Sequence, residues 1–253
     1  MHVLARWGLQ GRIFAFMVAV AATGIAASTS AASGAPPPLS AAEIKATAVS
    51  VTSVIKAAKA AINAETSAHV VFDASGSSST AENIVGDVGT RGGTETVNDG
   101  AAVLSVTVTP TASYISGTPT GLTTLFGLTS AEATKVGARW EFWKEGSAQY
   151  KSLMNVVSVH SLQSLLPKAK GTTLATTATT YTLTWRTKAT SREPALSNTL
   201  TISATKGAKL PIAETSSDAA GENVTTTLSK WDEKLHIKAP PSSSTISATA
   251  VSG

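Results

Sequence analysis

The chain has 253 residues, and its 20 Lys and Arg against 16 Asp and Glu give a net charge of +4. Because it contains no cysteine, a disulfide framework, a thiolate metal site and a cysteine nucleophile are all excluded. The positive charge comes without a Lys/Arg-rich run or a ladder of basic and aromatic residues, so nucleic-acid binding is not expected.

The first part of the chain has the pattern of a secretory signal peptide. Arg6 and Arg12 precede an apolar run at 13–22, and small residues follow it. A basic segment, an apolar segment of roughly 10–15 residues and a small-residue exit direct a chain to export. The apolar run is shorter than the roughly 20 residues that a membrane-spanning helix needs, which favours cleavage over a retained anchor. We expect cleavage after Ala31 or Ala32.

A proline-rich linker leads into the first predicted helix. Ser40 and Glu43 have the Ser-x-x-Glu spacing of a helix capping box. From Ile44 to Ile62, apolar residues recur at helical spacing while lysines lie off that face. The pattern predicts an amphipathic helix that begins at Ser40. Its β-branched residues lower the intrinsic helix propensity, so this helix needs a partner surface.

Short segments with strand character follow the helix. Gly, Asp and Asn separate them at 91–93 and 98–100, which is typical of turns between antiparallel strands. The predicted strands of this first meander are 68–74, 82–90, 93–98, 101–109 and 112–117.

A helical block interrupts the strands. Thr129 and Glu132 have capping-box spacing and predict a short helix. The segment 148–166 predicts a longer helix that ends before Pro167 and buries a wide apolar face.

The last third of the chain returns to strand patterns. Leu183 and Trp185 alternate with Thr184 and Arg186, which predicts a strand with one dry face. The predicted strands of this second meander are 180–188, 199–206, 210–217, 223–231 and 234–239.

The order of these elements predicts an α+β fold. A curved antiparallel β-sheet, or half-barrel, would be covered on its concave face by α-helices. An immunoglobulin-type sandwich is the alternative, but long capped helices and the missing cysteine pair disfavour it. The expected organisation is a signal peptide at 1–31, a linker at 32–39, one domain at 40–240 and a disordered tail at 241–253.

Several segments together carry a resemblance to a known family. They are "IVGDVGTRGGTETV", "SYISGTPTGL", "GLTSAEATKVGARWEFW" leading into "LMNVVSVHSLQSLLP", and "KWDEKLHIKAPPSSS". In order and spacing, the chain resembles the LppX/LprA/LprF/LprG family of actinobacterial cell-envelope lipid-binding lipoproteins, whose half-barrel is similar to the LolA and LolB carriers. The resemblance implies a lipid-binding domain with a cavity between sheet and helices, which receives acyl chains of envelope lipids or lipoglycans.

The leader departs from the family pattern at one position. Family members carry a lipobox cysteine that is acylated, whereas Ser28 stands at the comparable place. A hydroxyl cannot replace the thiol in thioether chemistry. We therefore expect a secreted or cell-envelope protein that is not lipid-anchored.

Residue patterns for catalysis or metal binding are weak. His69, His160 and His236 lie far apart, without the spacing of a metal site. Asp73 and Asp87 alternate with apolar residues on strands, which indicates a solvated outer face rather than a carboxylate pair. The sequence contains no nucleophile elbow and no Walker loop. We expect a protein that is not an enzyme and needs no cofactor or metal.

The lipid site is expected between the sheet and the helices near 121–128 and 150–166. Gly117, Gly121 and Gly127 predict backbone movement in the loop over the sheet. Burial of a methylene is worth about 0.8 kcal/mol, so an acyl chain needs a deep apolar cavity of several hundred cubic ångströms. The residues predicted to bind lipid are Phe72, Ile84, Leu122, Leu125, Phe126, Met154, Val157, Leu183 and Trp185.

Two functions are compatible with these patterns. One is an exported monomer that binds lipid or lipoglycan acyl chains and makes transient contact with a membrane or a transporter. The alternative is an exported structural or protein-interaction domain with a filled core and no ligand, because a core and a cavity wall share the same apolar alternation.

Overall fold

The computed structural model describes residues 49–76, 82–189, 194–205 and 207–253. The predicted signal peptide, the linker and the capping box at Ser40 lie outside these residues. Within the described ranges, none of the helices combines the length and the apolar character needed to cross a membrane.

Four α-helices and several shorter helical turns occur in the described ranges. They are α1 (Val51–Ala64), α2 (Ser130–Val136), α3 (Ala148–Val156) and α4 (Ala248–Ser252), with a π-helical turn at Gly121–Leu125 and 3₁₀ helices at Val159–Leu165 and Ser242–Ser244. The strands are β1 (Ser67–Ser75), β2 (Glu82–Gly89), β3 (Gly93–Asp99), β4 (Ala102–Val108), β5 (Ala112–Gly117), β6 (Trp140–Lys144), β7 (Thr173–Thr176), β8 (Thr180–Arg186), β9 (Ser197–Ser203), β10 (Pro211–Ser217), β11 (Asn223–Ser229) and β12 (Thr245–Ser247).

All of these strands belong to one twelve-stranded sheet. Its order is β12-β6-β5-β4-β3-β2-β1-β11-β10-β9-β8-β7, so the two meanders meet at the β1–β11 pair in the centre. The strands pair antiparallel, except that β12 runs parallel to β6. The sheet does not close, since β7 and β12 stand at opposite ends. The predicted α+β fold with an open sheet and a helical layer is confirmed.

Strand alternation decides which side chains face the helices. In β8, Leu183 is fully buried while Thr184 and Arg186 are exposed, as the sequence predicts. The strand register places buried side chains of neighbouring strands side by side, as with Leu183 beside Leu200 of β9. One face of the sheet is therefore apolar and covered.

The covered face is packed as three separate hydrophobic clusters. We call them the β4 cluster, the β1 cluster and the β9 cluster, after a strand in each. The β4 cluster is built from strands β3 to β5 together with α2, α3, α4 and the π-helical turn. In the β1 cluster, β1, β2 and β11 pack on the 3₁₀ helix Val159–Leu165 and on Ile62. The β9 cluster joins β8 and β9 to Val54 and Ala58, so α1 contributes to two clusters.

Both long predicted helices differ from the structure. Ser50 has extended backbone and forms a capping box with Ser53, so the helix containing Val51 begins there and does not continue from Ser40. The helix predicted over 148–166 ends at Val156. Ser158 then accepts a hydrogen bond from the His160 amide and starts a 3₁₀ helix. In each case a serine within the apolar pattern caps the start of a helix.

The segment 241–253, predicted as a disordered tail, is ordered in the structure. Its β12 extends the sheet beside β6, and α4 places Val251, which is fully buried, in the β4 cluster. The strand predicted at 234–239 is absent, since that segment has no regular secondary structure. The tail prediction is wrong because composition does not reveal pairing with a strand about a hundred residues away.

We expect Val251→Ala to lower the free energy of unfolding by about 1–3 kcal/mol, because it removes two buried methyl groups from a packed cluster. The matched control is Val49→Ala, since Val49 is 46% exposed and its loss should cost less than about 0.5 kcal/mol. Urea denaturation measures both. Equal effects of the two variants would show that the C-terminal segment is not part of the core.

Candidate functional site

A cavity of about 80 Å³ lies between the centre of the sheet and the helical layer. Its floor is formed by strands β1, β2, β3, β10 and β11, and its roof by the end of α3 and the 3₁₀ helix. The lining residues are Val70, Phe72, Ile84, Gly86, Val88, Glu95, Val156, Ser161, Leu162, Glu214, Ser216, Val224 and Thr226. Most of this wall is apolar, which suits hydrocarbon.

Strand register assembles the floor from alternating residues. Phe72 of β1 pairs with Ile84 of β2, and Val70 pairs with Gly86. Gly86 in turn pairs with Glu95 of β3. A side chain at Gly86 would overlap the backbone of β3, so this position admits only glycine. The space beside Glu95 is therefore left free of a side chain from β2.

The roof consists of Val156, Ser161 and Leu162. The carbonyl of Val157 accepts a hydrogen bond of 2.9 Å from the amide of Gly89, which fastens the end of α3 to β2. Beyond this point the chain leaves the α-helix and continues as the 3₁₀ helix. The roof is thus two short pieces joined by a non-helical residue pair.

Two carboxyl groups, on Glu95 and Glu214, line the cavity from opposite sides of the floor. Desolvation by burial raises the pKa of Glu95 to about 7, and the negative charge of Glu82 adds to the effect. Burial alone raises the pKa of Glu214 to about 7. No Lys, Arg or His occurs among the described residues that line the cavity. Both groups are therefore close to their midpoint of ionisation at neutral pH.

Phe72 and Ile84 are the two predicted lipid-binding residues that line this cavity. The other seven pack elsewhere on the covered face. Leu122 and Val157 are fully buried in the β4 cluster, and Leu125, Phe126 and Met154 pack against that cluster. Leu183 is buried in the β9 cluster, and Trp185 packs against it. These seven do not line this cavity, and their contact with lipid stays a prediction.

Two of the three loop glycines, Gly117 and Gly121, have a packing role that the sequence does not predict. A Cβ at Gly117 or Gly121 would overlap the carbonyl oxygen of Val103, so these glycines allow close backbone packing onto β4. The π-helical turn is thereby pressed against the sheet, and Phe126 packs on Trp143 at 5.6 Å between ring centroids. Tight packing rather than movement explains the glycines at these two positions.

Sequence reasoning missed the two cavity carboxyls. Glu95 shares its strand face with Val97, which is fully buried, so the alternation in β3 offered a signal that it points inward. Glu214 offered none, since its neighbours Ala213 and Thr215 are a small and a polar residue that do not mark an apolar face. An inward-facing Glu among Thr residues is easily assigned to the solvent face by composition alone.

The outer face of the sheet holds the other polar pairs. His69 Nδ1 lies 2.7 Å from Asp87 Oδ1, and Asp73 accepts a hydrogen bond from Asn83. Asp73 and Asp87 thus have separate partners and do not form a carboxylate pair. In the described ranges, no group of three or more His, Cys, Asp or Glu side chains is arranged to hold a metal ion.

We expect the free energy of unfolding to fall as the pH rises from about 4.5 to about 7. The folded chain holds the pKa of Glu95 and Glu214 at about 7, against 4.5 for an ordinary glutamate. Both are therefore neutral in the folded protein at the acid end and ionise in a desolvated place as the pH rises, which costs up to about 3 kcal/mol for each group.

Urea denaturation near pH 5 and pH 8 measures this difference. The double variant Glu95→Gln/Glu214→Gln should lose most of it, while Glu233→Gln, at an exposed position, should retain it. A double variant with the pH dependence of the parent would show that these carboxyls are not desolvated.

Comparison with known proteins gives structural likenesses only. No protein-family model matches the chain, and no curated protein matches it. The structure is similar to LprF from Mycobacterium bovis, with 16% sequence identity and a TM-score of 0.44, covering 75% of this chain and 96% of that one. It is also similar to a LolA superfamily protein from Nitrosomonas europaea, with 8% identity and a TM-score of 0.29, covering 78% of this chain and 97% of that one. Because both TM-scores are below 0.5, neither similarity supports an inference about function. The function proposed below is based on the cavity.

Proposed function

We propose that the protein is an exported lipid-binding carrier without catalytic activity, which holds acyl chains in the cavity between the sheet and the helices. The observation that carries this proposal is the position of an apolar cavity over the centre of the sheet, where the β4 cluster and the β1 cluster meet. Ile84 and Val156 line the cavity and pack on the β4 cluster. Val70 and Leu162 line it from the β1 cluster.

A division of the core supports the proposal. One domain usually has one contiguous hydrophobic core, whereas the covered face here is split into three clusters. The cavity, over strands β3, β2, β1, β11 and β10, borders two of these clusters, the β4 cluster and the β1 cluster. A gap of this kind at the middle of a wide sheet is a natural place for hydrocarbon from a ligand to complete the core.

Binding of an acyl chain requires the roof to move. The cavity of about 80 Å³ is well below the roughly 300–1,000 Å³ of ligand pockets. The 3₁₀ helix is the part of the roof that we expect to move, because this helix type has poorer hydrogen-bond geometry than an α-helix. Burial of a sixteen-carbon chain is worth roughly 12 kcal/mol, which offsets displacement of a few roof contacts.

The alternative function is a structural or protein-interaction domain with a filled core. The small volume of the cavity favours it, as does the complete burial of Leu122, Val157 and Leu183. The two functions differ in one property, namely whether the parent protein takes up an acyl chain.

Substitutions of two adjacent residues on β2 distinguish the carrier function from the filled-core alternative. Ile84 lines the cavity, whereas its neighbour Val85 is an exposed hydrophobic residue on the other face. We expect Ile84→Trp to fill the cavity and weaken uptake of a fluorescent acyl probe at least about tenfold, with Val85→Trp leaving uptake unchanged. Fluorescence titration measures binding, and circular dichroism checks that both variants fold.

Absence of probe uptake by the parent protein would favour the filled-core alternative. Equal loss of uptake in the two Trp variants would place the lipid outside this cavity.

Export is proposed from the leader sequence, which lies outside the described residues. We expect the mature protein to begin near Ala32 or Ser33 and to carry no diacylglycerol, since Ser28 offers no thiol. In this proposal the monomer contacts a membrane or a transporter only transiently. Intact-mass measurement of the protein isolated from its producing cell tests the leader, and a diacylglycerol adduct or a retained leader would contradict it.

A further inference from the structure

We propose that the cavity selects acyl lipids whose polar group donates hydrogen bonds and carries no negative charge, and that it discriminates against free fatty-acid carboxylates and phosphate headgroups. This inference rests on the proposed function and adds the chemical class of the ligand. It follows from the two glutamates in the cavity wall.

Glu95 and Glu214 reach the same cavity from strands on either side of its apolar floor. Strands β2, β1 and β11 lie between them. At about 4.8 Å per strand, the two positions are roughly 19 Å apart along the sheet. Phe72 and Ile84 occupy the floor between them. A ligand chain on this floor therefore has a carboxyl group toward each end.

The protein leaves both carboxyls available as hydrogen-bond acceptors. No group in the described ranges donates a hydrogen bond to the side-chain carboxyl of Glu95 or Glu214. Ser216 lies on the same strand as Glu214 and lines the same cavity, but its hydroxyl donates to Asn198 Oδ1 at 2.7 Å. Buried polar groups are normally hydrogen-bonded. Hydroxyl or ammonium donors of a ligand would satisfy these oxygens.

The exposed surface of these side chains supports the same reading. Glu95 and Glu214 are both half-buried, and burial raises the pKa of each to about 7. Both side chains line the cavity, which accounts for their partial exposure.

Charge in the cavity disfavours an anionic ligand. The described lining residues include no cation that could pair with a carboxylate or a phosphate. Glu82 adds a further negative charge near Glu95, and Asp99 lies close to Glu82. In a site of low effective dielectric, an anion beside these groups is repelled, and we expect a penalty on the order of tenfold in affinity.

The test uses ligands that share one sixteen-carbon chain and differ only in the polar group. They are 1-palmitoylglycerol, hexadecylamine and palmitate, each used below its aggregation concentration to displace a pyrene-labelled fatty alcohol near pH 8. We expect the glycerol ester and the amine to displace the probe at least about tenfold more effectively than palmitate. Displacement by palmitate as strong as by the glycerol ester would overturn the selectivity while leaving the carrier function in place.

Variants assign the selectivity to the two carboxyls. The isosteric double variant Glu95→Gln/Glu214→Gln should bind palmitate more tightly and bring its affinity within about threefold of the glycerol ester. The exposed control Glu233→Gln should keep the parent's discrimination. Unchanged discrimination in the double variant would overturn the assignment to Glu95 and Glu214, and failure of the parent to bind the pyrene probe would overturn the carrier function together with this inference.

Discussion

The structure depends on one constraint, which is that the apolar face of an open twelve-stranded sheet must be covered by short helices. A sheet and a helix each bury one apolar face, and a stable domain pairs them. Within the described ranges, α1 reaches two of the three clusters and α3 reaches one, and the 3₁₀ helix and the end of α3 lie over the cavity at the centre of the sheet. The cavity therefore has a roof of two short helical pieces.

The cavity also explains how two carboxyl groups can lie on the covered face of the sheet. A carboxylate placed on the covered face of a tightly packed sheet would be too costly to keep unpaired. At the edge of a small cavity, Glu95 and Glu214 can remain accessible and lower the cost by binding a proton near neutral pH. Their presence reduces stability above that pH, so a role in ligand recognition gives these residues a physical reason to be there.

Two predictions from the sequence succeeded because each depends on a short local pattern. The capping box of Thr129 and Glu132 needs only two residues three apart, and it is present in the structure. The alternation around Leu183 depends only on the period of a strand. The C-terminal strand could not be predicted, since it is fixed by parallel pairing with Trp140 and by the burial of Val251.

The candidate site shows the same division. Phe72 and Ile84 were predicted because inward-facing apolar residues on central strands line any space above them. Leu122 and Leu183 have the same apolar pattern, yet helices cover them directly, and no property of the sequence distinguishes a covered position from an uncovered one. Glu95 shows the converse, since a polar residue on an inward-facing position becomes meaningful only when the cavity beside it is known.

Entry of an acyl chain between the strand floor and the 3₁₀ roof is tested most directly by a crystal structure of the protein with a bound monoacylglycerol. We expect continuous density for the chain over Phe72 and Ile84, with Ser161 and Leu162 displaced from their present positions. A bound lipid outside this cavity, with the roof unmoved and the three clusters unchanged, would contradict it.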